Sequence, residues 1–151
     1  MKIAIVNRQR RHRMSIPQIR KVAERVLSAL GAAGSELSLS IVGDVAMRRI
    51  NREYLGKDRP TNVISFSLLE GEFGDLNPQM LGDVVISADT AAREAEEAGI
   101  AFFERFSFLL MHGILHLCGY DHERSGEQEA HRMEAKEQEI FAVLQQEGLI
   151  E

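Results

Sequence analysis

The sequence predicts a single α+β domain in which one small mixed sheet of about four strands packs with about five helices, one of them a zincin-like metal-site helix. Two observations predict this class. Early in the chain, alternating apolar runs typical of strands are interleaved with helical patterns, and the later part is predicted to be helical only. In addition, the 151 residues suit one core, with no repeat or linker, so we expect one domain over residues 1–151.

Four segments have the residue types and alternation of strands. Residues 2–6 (KIAIV) are rich in β-branched side chains, and residues 36–42 (ELSLSIV) alternate strictly between apolar and polar positions. Residues 61–67 (TNVISFS) and 82–87 (GDVVIS) are the other two. The stretch between them contains glycine and proline without periodicity, and it predicts a loop.

Five segments are predicted to be helices from their periodicity and end signals. The first is capped by Ser15 and ends at Gly31, and the second is capped by Asp44 and stops near Gly56. Its apolar positions are Met47, Ile50 and Tyr54. The other three are a helix from Ser87 or Asp89 to Ala98, a helix over about 101–117, and a helix from a capping Ser125 to about residue 146.

The net charge of −5 conceals a segregation of charge along the chain. Residues 1–60 contain 13 of the 18 Lys and Arg but only 5 of the 23 acidic residues. The densest basic segment, residues 8–13, contains four arginines and His12. It fits either a solvated loop between strand and helix or a patch that contacts phosphates.

Location is predicted from three further features. No apolar run approaches the roughly 18 residues that span a bilayer, so we expect no membrane association. The N-terminal apolar piece precedes the basic cluster, the reverse of a secretory signal. The single cysteine, Cys118, fits a reducing compartment. These features predict a cytoplasmic protein.

Three of the five histidines lie within residues 112–122, HGILHLCGYDH. On a helix His112 and His116 project from the same face one turn apart. Gly119 can end that helix in a left-handed conformation and let the chain return His122. The resulting H-x-x-x-H-x-x-G-x-x-H matches the metzincin zinc spacing with one position changed. We therefore predict one Zn²⁺ on these three imidazoles, with the open fourth position of a catalytic ion.

The changed position is Gly113. In H-E-x-x-H proteases a glutamate there is the general base, and glycine has no side chain to accept a proton. A metal can still lower the pKa of bound water and neutralise charge on a substrate oxygen, which would directly assist phosphodiester cleavage. The sequence therefore favours a phosphodiester over a peptide, without assigning the base.

Several neighbouring residues have alternative interpretations. Cys118 should point away from the metal and into the core. Asp121 could orient a ligand histidine or accept a proton, and it equally fits an ordinary turn aspartate. His131 is predicted to lie on the surface of the last helix.

The chain resembles the YbeY family of bacterial metal-dependent endoribonucleases. The resemblance rests on HGILHLCGYDH, on GKDRPTNVISFS (residues 56–67) and on LGDVVIS (residues 81–87), and it covers nearly the whole chain. It implies zinc on His112, His116 and His122 and single-stranded RNA as substrate. It also implies a role in 16S rRNA 3′-end maturation and ribosome quality control, with the ribosome or small-subunit proteins as partners.

One departure from the family pattern concerns a functional arginine. Members usually have Tyr-Arg before the Gly-Lys-Asp segment, whereas this chain has Tyr54-Leu55. We hypothesise that Arg59 or Lys57 supplies the missing positive charge, although both also fit a solvated loop.

Three functions are consistent with these residues. The first is a zinc-dependent RNA hydrolase whose basic N-terminal half holds the backbone while bases stack on Phe66 or Phe73. The second is a zinc peptidase with a base from outside the motif. The third is a ribosome-associated assembly factor with a structural metal.

Overall fold

The computed structural model describes residues 2–68, 79–120 and 126–150. Its elements are β1 (Lys2–Asn7), α1 (Ile16–Ala29), β2 (Glu36–Val42), α2 (Asp44–Leu55), β3 (Val63–Ser67), β4 (Met80–Ser87), α3 (Ala88–Ala98), α4 (Phe102–Leu117) and α5 (Glu127–Gln146). The described residues thus form four strands and five helices, and the predicted α+β class is confirmed.

The four strands form one mixed sheet in the order β1-β2-β4-β3. The first three of these are mutually parallel, and β3 pairs antiparallel with β4 at one edge. In that pair Ser65 lies opposite Val84 and Phe66 lies opposite Asp83. Because successive side chains of a strand point to opposite faces, Ser65 and Phe66 project from different sides of the sheet.

The two faces of the sheet carry different helices. On one face, Val84 and Ile86 join the main core, to which α4 contributes its apolar side. The fully buried side chains of α4 include Phe106, Leu110, Met111, Ile114 and Leu115. On the other face, α2 packs Met47 against Ile64 and Val85. Burial of each such side chain stabilises the fold by about 1.5–3 kcal/mol.

Two predicted helix caps are confirmed and one is wrong. Ser15 Oγ accepts a hydrogen bond from the Gln18 amide (3.4 Å), and Ser87 Oγ accepts one from the Thr90 amide (3.3 Å). Asp44 does not cap α2, because Gly43 is the N-cap and Asp44 is the first helical residue. The first-turn amides of α2 still need an acceptor, and the Asp89 carboxylate, in α3, accepts from the Asp44 amide at 2.9 Å.

The Asp44 carboxylate in turn links α2 to α3. It accepts hydrogen bonds from the hydroxyls of Ser87 (2.7 Å) and Thr90 (2.6 Å) and from the Arg93 guanidinium (2.6 Å). Burial alone would raise the pKa of Asp44, but these three bonds outweigh it and leave the pKa below its usual value. We call Asp44, Asp89 and the groups bonded to their carboxylates the aspartate cluster.

His12 ties the arginine-rich loop to this cluster. Its Nε2 lies 2.9 Å from Asp89 Oδ1, and its ring stacks on Phe102 with centroids 5.4 Å apart. Burial alone would raise the pKa of Asp89, but the Asp44 amide and His12 outweigh it and the pKa is lowered. The loop after β1 is therefore fixed against the first turns of α3 and α4.

Other predicted boundaries shift by a few residues. Strand β4 begins at Met80 rather than Gly82, and β3 begins at Val63. Helix α5 begins at Glu127 after an N-cap at Gly126, and the predicted start at Ser125 lies outside the described residues. Tyr54, predicted on the apolar face of α2, is 67% exposed.

None of the helices in the described residues is by itself long and apolar enough to span a membrane, and only α3 and α4 together meet that criterion, as a pair bent by 118°.

Candidate metal centre

Helix α4 positions the paired histidines through a close contact with the sheet. Gly113 is buried where α4 crosses β3 and β4, and its carbonyl accepts a hydrogen bond from Ser65 Oγ at 2.9 Å. A Cβ at this position would lie 2.8 Å from Val84 Cγ1 and 3.2 Å from Ser65 Oγ. A side chain at 113 would therefore require the Val84 side chain or the packing of α4 on the sheet to shift, so glycine suits the close approach of α4 to β3 and β4.

On either side of Gly113, His112 and His116 bring their Nε2 atoms to 3.1 Å from each other. The ring centroids are 4.6 Å apart and the planes meet at 78°. Two imidazoles on one tetrahedral Zn²⁺ with bonds of about 2.0–2.1 Å would have their nitrogens about 3.3 Å apart. The observed separation is close to that edge length, so these two side chains could hold a zinc ion with little movement.

Glu137 fixes the opposite side of the His112 ring. Its Oε2 lies 3.1 Å from His112 Nδ1, and its side chain is only 7% exposed. A proton on Nδ1 shared with this carboxylate directs the lone pair of Nε2 toward His116. Carboxylates hold metal-binding histidines in this way in many metal sites.

Sequence reasoning missed Glu137, although the sequence contains a signal for it. The buried positions of α5 are Met133, Glu137, Ile140 and Leu144. This is an apolar stripe at helical spacing interrupted by one carboxylate. A charged residue on a core stripe is almost never buried unless it has a partner, and the stripe alone predicts that Glu137 has one.

Aromatic side chains line the same part of α4. Phe108 stacks near His112 (ring centroids 6.4 Å apart) and meets Phe141 of α5 edge-on at 5.6 Å. The Arg105 guanidinium lies over the other ring surface of Phe108, 5.2 Å from its centroid. The two phenylalanine rings lower the polarity beside His112, which strengthens electrostatic interactions there.

The end of α4 confirms the prediction that Gly119 ends this helix at a positive φ. Gly119 has φ +99, its amide donates to the His116 carbonyl (3.1 Å), and the Tyr120 amide donates to the Leu115 carbonyl (3.0 Å). These two bonds form a Schellman motif, which reverses the chain directly after the second histidine.

The third predicted ligand, His122, lies outside the described residues, as does the candidate Asp121. Among the residues that are described, no group of three or more His, Cys, Asp or Glu side chains is arranged to hold a metal. The structure thus brings together two of the three predicted ligands, and the third remains a prediction.

Cys118 packs against the main core, as predicted from its angle on the helix. Burial raises the pKa of its thiol, which therefore stays protonated at neutral pH. Neither metal ligation nor nucleophilic attack is favoured for a protonated thiol.

The predicted basic groups lie in two separate places. His12 stacks on Phe102 at the start of α4. Because a helix rises 1.5 Å per residue, the arginine-rich loop is about 15–20 Å along α4 from His112 and His116. Lys57 and Arg59 are exposed and follow α2, which packs on the opposite face of β3 from Gly113. His131 is exposed, as predicted.

The fold and the paired imidazoles define a class, a small α+β domain with a histidine site carried by a core helix. A family model described as Endoribonuclease YbeY matches residues 4–145. Proteins called Endoribonuclease YbeY from Geobacter metallireducens and Geobacter sulfurreducens are 71% and 69% identical over 150 residues, covering 99% of this chain and 100% of each relative. The chain belongs to the YbeY endoribonuclease family.

One solved structure has a similar fold at low sequence identity. It is the solution structure of a protein from Thermotoga maritima, with a TM-score of 0.63 and 20% identity, covering 97% of this chain and 94% of that one. This likeness supports the fold alone.

Proposed function

We propose that the chain is a zinc-dependent endoribonuclease that cuts single-stranded RNA in the maturation of the 16S rRNA 3′ end and in ribosome quality control. The observation that supports zinc dependence is the 3.1 Å distance between His112 Nε2 and His116 Nε2, together with the contact of Glu137 with His112 Nδ1. Membership of the YbeY family supports RNA as the substrate.

The zinc would be held by His112, His116 and His122. Bound there, it would supply a Lewis acid that activates water and stabilises negative charge on a phosphoryl oxygen. Glu137 keeps the proton of His112 on Nδ1, which reserves Nε2 for the ligand position. The Gly119 turn ends α4 three residues after His116, and a third ligand from residue 122 requires the helix to end before it.

Gly113 disfavours a peptidase. The glutamate that serves as base in H-E-x-x-H proteases would need space that Val84 and Ser65 occupy. A proton acceptor for RNA cleavage would have to come from elsewhere, and Asp121 is the candidate we propose from the sequence. A protease assay on unstructured peptides tests the alternative, for which we expect no cleavage.

Partners and location follow from this proposal. Precursor rRNA and small-subunit proteins would be the partners, with the cytoplasm as the compartment. The exposed cations of α2 and of residues 57–59 support contact with an RNA backbone. Removing the metal separates catalysis from an assembly-factor role with a structural ion: we expect a folded but inactive apo-protein, whereas an unfolded one would favour a structural ion.

Elemental analysis and RNA cleavage together test the central claim. We expect about one zinc per chain in the purified protein and cleavage of a short single-stranded RNA by the wild type but not by His116→Ala. Equal cleavage by the two proteins would contradict the catalytic role of zinc.

A further inference from the structure

The C-terminal end of α2 and the end of β3 expose apolar side chains that the fold does not need. Tyr54 is 67% exposed, Leu55 is 51% exposed and Leu68 is 44% exposed. Tyr54 and Leu55 are neighbours at the end of α2. Neighbouring exposed apolar side chains are a feature of surfaces that contact other molecules.

The Tyr54 ring has a fixed support. It meets Phe66 of β3 edge-on, with centroids 5.5 Å apart and planes at 69°. Phe66 is half-buried against the second core cluster, where α2 packs on the sheet. Such an edge-to-face pair limits the motion of the outer ring, so Tyr54 presents a preorganised aromatic surface to solvent.

The loop that follows Tyr54 is equally fixed. Gly56 adopts φ +72 and closes α2, its amide donating to Arg52 O (3.1 Å), and the Lys57 amide donates to Asn51 O (3.2 Å). The Asn51 side chain, which is 1% exposed, donates from Nδ2 to the Arg59 carbonyl at 2.8 Å. Lys57 and Arg59 therefore project from a rigid backbone.

These two cations are also electrostatically available. Asp58 pairs with Arg48 (2.9 Å) and Arg52 (3.7 Å). Within the described ranges no carboxylate lies within ion-pair distance of Lys57 or Arg59. This surface thus combines a supported aromatic ring with two exposed cations that pair with no carboxylate of the described residues, and such a combination can bind a base and its phosphates.

Strand β3 connects this patch to the histidine pair. Ser65 bonds to the carbonyl of Gly113, between the histidines, and the next residue, Phe66, supports Tyr54 from the other face. The two regions are separated by one edge strand, so a single extended RNA strand can contact both by passing over that edge.

We propose that Tyr54, Lys57 and Arg59 form a subsite for an unpaired nucleotide flanking the RNA bond that is cut. The base stacks on Tyr54, and the adjoining phosphates contact Lys57 and Arg59. This inference rests on the proposed function, because it takes RNA to be the ligand.

The test is the affinity for a fluorescent single-stranded RNA of about ten nucleotides, measured by anisotropy in chelating buffer so that no cleavage occurs. We expect Tyr54→Ala to weaken binding about 5- to 100-fold, since stacking on one aromatic ring has an effect of this size. Tyr54→Phe, which keeps the ring, should restore affinity to within about twofold of the wild type. The matched control is Val45→Ala, an 85% exposed side chain at the other end of α2, which should leave affinity unchanged.

An abasic scan of the RNA identifies the stacked base. In the wild type one abasic position should lower affinity by about the same factor as Tyr54→Ala, and in Tyr54→Ala that position should have no further effect. Arg59→Ala should weaken binding and reduce the salt dependence by about one counterion. Unchanged RNA affinity and cleavage in Arg59→Ala would remove Arg59 from the subsite.

The outcomes separate this inference from the proposed function. If folded Tyr54→Ala binds RNA like the wild type while His116→Ala has lost cleavage, the subsite is wrong, the proposed function stands, and the patch is a protein-docking surface. If His116→Ala cleaves normally and Tyr54→Ala loses affinity, the proposed function is wrong and the subsite stands. If the wild type does not bind RNA, both are overturned.

Discussion

The aspartate cluster and the histidine pair are both partly buried polar groups, but their atoms are arranged in opposite ways. In the aspartate cluster, hydroxyl, guanidinium and amide donors surround the acceptor oxygens of Asp44 and Asp89. In the histidine pair, two nitrogens of the same kind face each other at 3.1 Å. Hydrogen-bond donors and acceptors that satisfy one another stabilise a fold. Two nitrogen atoms that can each bind a metal and that converge on one position are typical of a ligand site.

The first prediction separates the two regions by function. His116→Ala should lower zinc retention and RNA cleavage by about 100-fold or more, because a side chain that binds the metal directly contributes more than the 10- to 100-fold of one that only orients a ligand. Its thermal stability without metal should remain close to that of the wild type. The control is His131→Ala, an exposed position on α5. If His116→Ala does not fold, the histidine pair is a structural element like the aspartate cluster.

The second prediction concerns Glu137, the carboxylate behind the proposed zinc site. Glu137→Gln should lower zinc affinity about 10- to 100-fold, because the amide is a weaker partner for His112 Nδ1. Competition with a chromophoric chelator measures this directly. Glu139→Gln serves as the control, because Glu139 is exposed and pairs with Lys136 on the surface. Equal zinc affinity in the Glu137 variant would mean that Glu137 is only a packing residue.

The third prediction is the converse, a loss of stability without loss of function. Asp44→Ala leaves the Ser87 and Thr90 hydroxyls and Arg93 without their acceptor and should lower the free energy of unfolding by about 1–3 kcal/mol. Asp58→Ala, which removes the exposed ion pairs with Arg48 and Arg52, should change it much less. Urea denaturation measures both, and zinc affinity should be unchanged. A drop in zinc affinity in Asp44→Ala would show that the two regions are coupled.

The smallest predicted effect is on acid sensitivity. The pKa values of Asp44 and Asp89 in the folded protein lie below the ordinary 3.8. Their ionised forms therefore contribute stability that is fully present above the unfolded pKa and is lost as the pH falls through the folded pKa. In Asp44→Asn/Asp89→Asn the free energy of unfolding should vary less steeply with pH below about 4. An unchanged slope would assign the acid sensitivity to other carboxyls.

Local sequence signals were sufficient wherever the responsible interaction is local. Alternation located the strands, Ser15 and Ser87 were recognised as caps, and Gly119 was recognised as the turn after α4. The spacing of His112 and His116 predicted their convergence because helix geometry alone brings positions four apart together.

Long-range interactions account for what sequence reasoning did not find. Asp44 looked like a cap, but the acceptor for its amide is Asp89, 45 residues later, so the correct assignment depends on how α2 and α3 meet. Glu137 reaches His112 only because α5 packs on α4. From the sequence, glycine at 113 indicates only that the general base of a peptidase is missing. The distance of 2.8 Å between a Cβ at 113 and Val84 Cγ1 adds a packing reason that the sequence does not reveal.

The contact at Gly113 also limits how this site can be redesigned or could have diverged. Replacing this glycine with glutamate would write the peptidase motif into the sequence, yet the new Cβ would lie 2.8 Å from Val84 Cγ1. A glutamate at this position would thus require the Val84 side chain, or the spacing between α4 and β4, to change at the same time. The packing of this helix on the sheet and the chemistry of its motif are therefore coupled through one residue.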